Sequence, residues 1–285
     1  MRWLGRAIAV ASLWAAPAVA QLTHLQTYIW DGEHPKVRGI SGFELSADGL
    51  SYTAVSDFGE LLTGTVIRQN DAITAMPVSQ TGRIQARSGR STRGPERDAE
   101  GLAVLPDGSV SISFERVQRV ASFPDPFGPA RNLGNLSGTQ GLVGNKGLEA
   151  LAVDANSVHY AIPESPHHGK HAILKFQSGQ WTIAMVVPNT DSFLTVGADF
   201  APDGTLWILE RKFFPPFFGS RIKVLDLETA TATIIWQSTL GTYDNLEAIT
   251  LWTDGQNRQR VTLVADDNDN WYQSTQVVEF YLQDE

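Results

Sequence analysis

The chain contains no cysteine, so no disulfide supports its core and no thiolate can bind a metal; any ion it holds must be held mainly by oxygen. It also lacks the signatures of several hydrolase classes. There is no G-x-S-x-G elbow for an α/β-hydrolase serine, no Arg-His-Gly of a histidine acid phosphatase, and neither a glycine-rich phosphate loop nor a dinucleotide fingerprint. Beyond the first 20 residues no apolar run reaches the roughly 20 residues that span a bilayer. Positive charge is scarce: 22 Lys and Arg stand against 31 Asp and Glu, and removing the N-terminal segment, which holds Arg2 and Arg6, leaves a net charge of −11. Such a balance argues against nucleic acid as a partner and for a surface that attracts cations.

Residues 1–20 read as a secretory signal peptide. Arg2 and Arg6 precede an apolar run from Ala7 to Ala16, and Ala18-Val19-Ala20 before Gln21 has the small-x-small form of a cleavage site. The expectation is therefore a periplasmic or secreted protein of residues 21–285 that folds as one domain and is monomeric.

Within that domain one stretch recurs. Leu148 to Val153 and Val158 to Ile162 alternate as strands around the turn Asp154-Ala155-Asn156, forming a hairpin that should bring Glu149 and Glu164 to one sheet edge. Related hairpins begin at Ser41, Glu100, Val196 and Glu247, with Asp-Gly turns at Asp48-Gly49, Asp107-Gly108, Asp203-Gly204 and Asp254-Gly255. A period near 50 residues in an all-β reading predicts a single β-propeller. Five repeats are visible, so five or six blades are expected, with Leu22 to Trp30 pairing with Gln276 to Leu282 to close the ring.

The repeats carry acids at matching places. Glu100, Glu149 and Glu247 head the innermost strands, flanked by Asp98, Asn145, Asp244 and Asn245, while Asp57, Glu115, Glu164, Glu210, Asp266 and Asp267 leave the second strands. Carboxylates crowded at one mouth need cations, arginines or protons to neutralise them. An irregular all-oxygen cluster suits Ca²⁺ before Mg²⁺. Expected metal ligands are Glu100, Glu149, Glu164, Glu247 and Asp267, the last chosen over Asp266 by its match to Glu115 and Glu164. Catalytic roles fall to Glu149, Glu247, Arg116 and Arg211, and substrate binding to Arg116, Arg211 and Lys212. Three other stretches stand out. Arg83 to Arg97 carries five arginines and reads as a solvated loop or an anion clamp; His167-His168-Gly169-Lys170-His171 reads as an exposed loop or a metal site; the aromatic run Phe213 to Phe218 either packs over the next blade or forms an apolar wall.

The motifs GISGFELSADG, EGLAVLPDG, NKGLEAL, ILERKF, DNLEAIT and LVADDND resemble the phytase-like family of secreted bacterial β-propellers, also described by its esterase-like activity, over about residues 37–283. The resemblance implies a propeller, export and hydrolase activity; the well-understood propeller phytases hold several calcium ions by acidic side chains, with phosphate oxygens bridging them. The function expected is a Ca²⁺-dependent hydrolase of phosphate or related esters acting on a small anionic or ester substrate. The alternatives are a non-catalytic exported propeller that uses calcium structurally, and a metal-dependent lactonase.

Overall fold

The computed structural model describes residues 21–30, 32–134, 136, 147–189 and 191–283. Residues 1–20, expected from the sequence to be a signal peptide, and Asn145 lie outside them. Five four-stranded antiparallel sheets follow one another around a ring, which fixes the blade number at five. From the centre outward, blade 1 is Ile40–Leu45, Ser51–Ser56, Glu60–Thr65 and Val78–Arg83, and blade 2 is Ala99–Val104, Val110–Phe114, Arg119–Phe123 and Arg131–Asn132. Blade 3 comprises Leu148–Val153, His159–Pro163, Lys170–Gln177 and Gln180–Pro188; blade 4 comprises Leu194–Phe200, Leu206–Phe214, Phe217–Asp226 and Thr231–Gln237. Blade 5 takes Asn245–Thr253, Gln259–Asp266 and Gln276–Gln283 from the end of the chain and its outermost strand, Gln21–Ile29, from the beginning. That last pairing runs antiparallel from Gln21 opposite Gln283 to Ile29 opposite Gln276, so the ring is closed by the two ends of the domain.

Strands that lie between neighbouring blades are buried on both faces, for example Val110–Phe114 and His159–Pro163, where the polar members Ser111 and His159 bond each other at 2.8 Å. Apolar clusters fill the gaps between blades. One of them ties the ring closure to blade 1: Trp30 is wholly buried against Phe43 and Tyr52 and donates its indole N–H to Met76 O at 3.1 Å. Burying an aromatic ring of this kind stabilises by roughly 1.5–3 kcal/mol, which fastens the N-terminal strand in place.

The innermost strands touch in the cyclic order of the blades, and each carries a β-bulge near its start. Pairing jumps from Ile40 to Gly42, from Ala99 to Leu102, from Leu148 to Ala150, from Thr195 to Gly197 and from Leu246 to Ala248. Ser41, Glu100, Glu149, Val196 and Glu247 therefore occupy the bulges, the places where a side chain is re-aimed out of the sheet. The glycines that follow three of them have a packing reason. A Cβ at Gly42 or Gly101 would stand 2.7 Å from the carbonyl oxygen of Glu100 or Glu149 in the next blade, and one at Gly197 would stand 2.8 Å from that of Glu247.

Candidate functional site

Two rings of side chains frame one mouth of the central channel. The bulge residues form the first. The second follows from register: the residue just before each bulge pairs with Ser56, Phe114, Pro163, Glu210 and Ala265 on the second strands. The next residues along those strands are Asp57, Glu115, Glu164, Arg211 and Asp266, and they occupy equivalent positions. Two expectations need correcting here. In blade 4 the ring position belongs to Arg211, not Glu210, because Glu210 is paired with Thr195 and turned away; its buried carboxylate accepts from Arg221 Nε at 2.5 Å and Lys223 Nζ at 2.8 Å. In blade 5 it belongs to Asp266, which pairs with Asn245 and is buried, whereas Asp267 is half-exposed and accepts from Gly39 N at 2.8 Å and Asp269 N at 3.0 Å. The bulge-to-exit spacing is the same in blades 2, 3 and 4 and leads to Arg211, so matching acid to acid lands one residue short there, while the longer turn of blade 5 leaves only pairing to separate Asp266 from Asp267.

Arg211 organises one arc of the mouth. It donates through Nη1 to Asn245 Oδ1 at 2.5 Å and to Glu247 Oε1, while Nη2 lies 3.6 Å from Glu164 Oε1. Asn245 Nδ2 donates to the same Glu247 oxygen at 2.7 Å. Burial works against the guanidinium charge, but Glu247, Glu149, Glu164 and Asp266 outweigh it and hold Arg211 above its ordinary pKa. Burial raises the pKa of Glu247, and Arg211 and Asn245 oppose that rise.

The opposite arc has no such cation at its centre. One oxygen each from Asp98, Glu100 and Glu115 lie within 4.8 Å of one another. Burial, then Glu149, Glu247, Asp98 and Glu115, push Glu100 well above the ordinary carboxyl range. Glu115 is raised by burial and by Asp98 and Glu164. Asp98 Oδ2 is buried without a hydrogen bond; Arg116 Nε approaches it to 2.8 Å, as an ion pair from an arm that is 66% exposed. Glu149 lies between the arcs, raised well above the usual range by burial and by Glu247 and Glu164, with Arg211 pulling the other way. Burial and Glu247 lift Asp266 to about 9, and burial, Glu247 and Asp98 lift Asp57 to about 6. Five carboxyl groups are thus held in a state that favours protons or a cation.

The donor set fits a hard divalent ion. Oxygens on one Ca²⁺ sit about 2.3–2.6 Å from it, so any two of them can be no more than about 5 Å apart, and the trio of Asp98, Glu100 and Glu115 meets that limit. On the second ring Asp57 Oδ1 is buried without a hydrogen-bond partner, an acceptor that suits a cation. Below the carboxyls the channel closes: the space lined by Gly42, Gly101, Gly197 and Glu247 is about 10 Å³, roughly one water. A substrate must therefore sit on the rim.

Of the residues singled out from the sequence, the structure brings Glu100, Glu149, Glu164, Glu247 and Arg211 together, with Arg116 at the edge. Lys212 is not among them: alternation turns it to the opposite side of the strand from Arg211, and its Nζ lies over the Phe193 ring at 5.9 Å. Asp98 was noted only as a flank and Glu115 only as a strand exit; neither was counted as a ligand. His171 is not part of an exposed loop. It is buried between Thr195 Oγ1 at 3.1 Å and Asn189 Nδ2 at 3.5 Å, and burial lowers its pKa to about 4. The arginine-rich stretch is docked rather than free, since Arg83 pairs with Glu60, Arg90 with Glu96, and Thr92 is buried on Ile84 O.

A ring of five bulged blades with an acidic mouth agrees with a family profile. The profile described as "Phytase-like: Esterase-like activity of phytase" matches residues 35–269, well over half of the chain. The chain belongs to the phytase-like family. Its name attaches the family to hydrolase-type propellers. No curated protein matches the chain. Among solved structures, the PQQ-bound aldose sugar dehydrogenase of Streptomyces coelicolor aligns with a TM-score of 0.54 at 12% identity, covering 94% of this chain and 100% of that one. The WD40 repeats of RRP9 align at 0.49 and 7% identity, covering 92% and 100%. At such identity the dehydrogenase likeness speaks to the propeller fold alone.

Proposed function

We propose that this phytase-like propeller is an exported hydrolase of phosphate or related esters, dependent on Ca²⁺ held at the acidic mouth. The observation that carries the reading is the Asp98–Glu100–Glu115 oxygen cluster, whose Asp98 oxygen pairs with the exposed arm of Arg116, facing an arginine already oriented by two partners across the same opening. Asp98, Glu100 and Glu115 would hold the ion, with Glu149 next in reach. Bound there, calcium would supply a Lewis acid for the ester oxygen and a lowered pKa for water.

The protein's own groups have distinct tasks in this reading. Arg211, fixed by Asn245 and Glu247, presents its guanidinium to the negative charge that develops on a phosphoryl or acyl oxygen, and its fixed orientation means that little reorganisation is needed. Glu247 acts by positioning Arg211. Glu149, whose carboxyl is raised well above the usual range and so holds its proton, gives that proton to the leaving group and regains one from the attacking water. Arg116, exposed at the rim and paired with Asp98, would exchange that partner for an anionic substrate. The closed channel favours one competitor to this reading, an exported propeller in which calcium only staples blades together and no turnover occurs. The substrate would be a small anionic or ester molecule and the protein a monomer.

An activity panel on residues 21–285 separates them: phosphomonoesters, phytate, carboxylic esters and lactones, each with calcium and with chelator. The hydrolase reading expects turnover of at least one ester class that chelator abolishes and Glu149→Gln lowers. Calcium-dependent thermal stability with no turnover of any substrate would leave the structural role instead.

A further inference from the structure

Beside the arc built on Arg211 lies a cavity of about 270 Å³ that the chemistry above does not use, walled by Phe213, Phe217, Tyr243 and Tyr272 and edged by Asp244 and Gln273. Three of these rings are held in water: Phe213 is 57% exposed, Phe217 51% and Tyr272 68%. Phe213 and Phe217 stand on the last ladder pairs of the hairpin between Leu206–Phe214 and Phe217–Asp226, where Phe213 pairs with Phe218 and Phe214 with Phe217, and the Phe213 ring leans on Phe218 at 4.8 Å. Exposed aromatic rings gathered around one concavity mark a binding surface more than they mark a fold.

Position ties the cavity to the mouth. Phe213 follows Arg211 by two residues on one strand, so both project from the same side, about 7 Å apart along the chain. On the other wall, Asp244 directly precedes Asn245, the residue that grips Arg211 and Glu247. A molecule with its reactive end at Arg211 would lay its next group on Phe213. Size and charge narrow that group. A cavity of about 150 Å³ holds a benzene ring, so this one accepts a single aryl group or a short branched alkyl chain with room for its linkage. The one carboxylate at its edge is already engaged, since Asp244 accepts from Asn245 N at 3.0 Å, Gln273 Nε2 at 2.7 Å and Ser274 N at 3.0 Å. The walls offer a neutral apolar surface.

We infer that this cavity is a specificity subsite for the apolar arm of the substrate, an aryl or short alkyl group joined to the ester that is bound at the acidic mouth; it deepens and rests on the hydrolase reading. It makes an aryl or alkyl ester, rather than a polyanion such as phytate, the substrate class of this chain.

Benzyl alcohol serves as the probe, with the full chain in chelator so that neither calcium nor turnover enters, and binding is followed by saturation-transfer NMR. Wild type is expected to bind saturably in the millimolar range, with affinity about tenfold weaker in Phe217→Ala and in Tyr272→Ala, which truncate opposite walls at exposed positions. Unchanged binding in both variants overturns the subsite, as does tighter binding of benzyltrimethylammonium than of benzyl alcohol, which would make it a cation cage. With calcium present, the ratio of kcat/KM for phenyl acetate to that for methyl acetate should fall about tenfold in either variant while methyl acetate is unaffected; an unchanged ratio again overturns it. If no ester is turned over, the hydrolase reading falls and the ester with it, while the benzyl alcohol result still decides whether the cavity takes an apolar ligand.

Discussion

The two arcs of the mouth are built from the same repeat and differ most in the side chain at the exit of the second strand. At the second-strand position where blades 1, 2, 3 and 5 place Asp57, Glu115, Glu164 and Asp266, blade 4 places Arg211. Around it the carboxylates of Glu247 and Glu164 are neutralised and oriented from within the protein. Across the opening Asp98, Glu100 and Glu115 meet with an arm of Arg116 at their edge, and a buried oxygen of Asp98 lacks a hydrogen bond. One arc carries its counter-charge at its centre; the other carries one only at its edge. Under the proposed function a near-symmetric scaffold would divide labour, with charge stabilisation on one side and ion holding on the other.

Removing the internal cation should break the contrast most severely. Arg211→Ala leaves Glu247 buried beside Glu149 and Glu164 without a counter-charge, and a loss on the order of 3 kcal/mol is expected, read as a lower urea midpoint, together with a hundredfold or greater fall in kcat for whichever ester is hydrolysed. Arg211→Lys, which keeps charge but not the fork, should recover much of the stability and little of the rate. A variant with wild-type stability would mean that the arc does not depend on Arg211.

Paired carboxamide variants sharpen the difference through opposite signs. Glu247→Gln removes a partner of Arg211 and should destabilise. Glu100→Gln relieves repulsion and should raise the melting temperature in chelator at pH 8 by about 2–4 °C, on the order of 1 kcal/mol. It should also abolish most of the calcium-induced stabilisation, which for wild type is about 2.7 kcal/mol at calcium one hundredfold above Kd. Shifts of the same sign in both variants would erase the distinction between the arcs.

The pH dependence follows from the carboxyls whose folded pKa is raised. Such a group binds its proton more tightly when folded, so its favourable contribution is fully present below the unfolded value and is lost as pH rises through the folded one. Asp57, raised to about 6, acts between about pH 4 and 6, and Asp266, raised to about 9, across about pH 4 to 9. In chelator the urea midpoint should therefore fall steadily from pH 5 to 9, and calcium should flatten the slope. A midpoint independent of pH in chelator would contradict the burial of these groups.

The smallest effect is expected at Asp267. Its Oδ1 accepts two backbone N–H groups at the turn around Gly39, and Asp267→Asn retains that oxygen, so calcium affinity by calorimetry and stability should stay within about 0.5 kcal/mol of wild type. Asp266→Asn should by contrast raise stability at pH 8. A calcium affinity lowered tenfold in Asp267→Asn would return that residue to the site.

Much of this architecture was legible in the chain. A period near 50 residues, Asp-Gly turns and apolar alternation reflect constraints that every blade meets separately, so each copy reports on the fold independently. The heads of the hairpins were legible for the same reason: Ser41, Glu100, Glu149, Val196 and Glu247 are the bulge residues, aligned by the glycine or alanine that must follow them where blades converge. The strand exits were not, because polar or charged residues stand side by side there and only the pairing shows which one faces the mouth, a shift of one residue sending a side chain to the other face. That shift separates Arg211 from Glu210 and Asp266 from Asp267.

The sequence by itself determined the propeller, the closure of the ring by its two ends and the presence of many carboxyls at one mouth, since these follow from local turns and a repeated pattern of polarity. Only the tertiary structure decided which carboxyls share an arginine, which are left to a cation, and that exposed aromatic rings stand beside them. Those outcomes depend on contacts between blades far apart in the chain, where register, burial and approach to a few ångströms set the charge each group can bear.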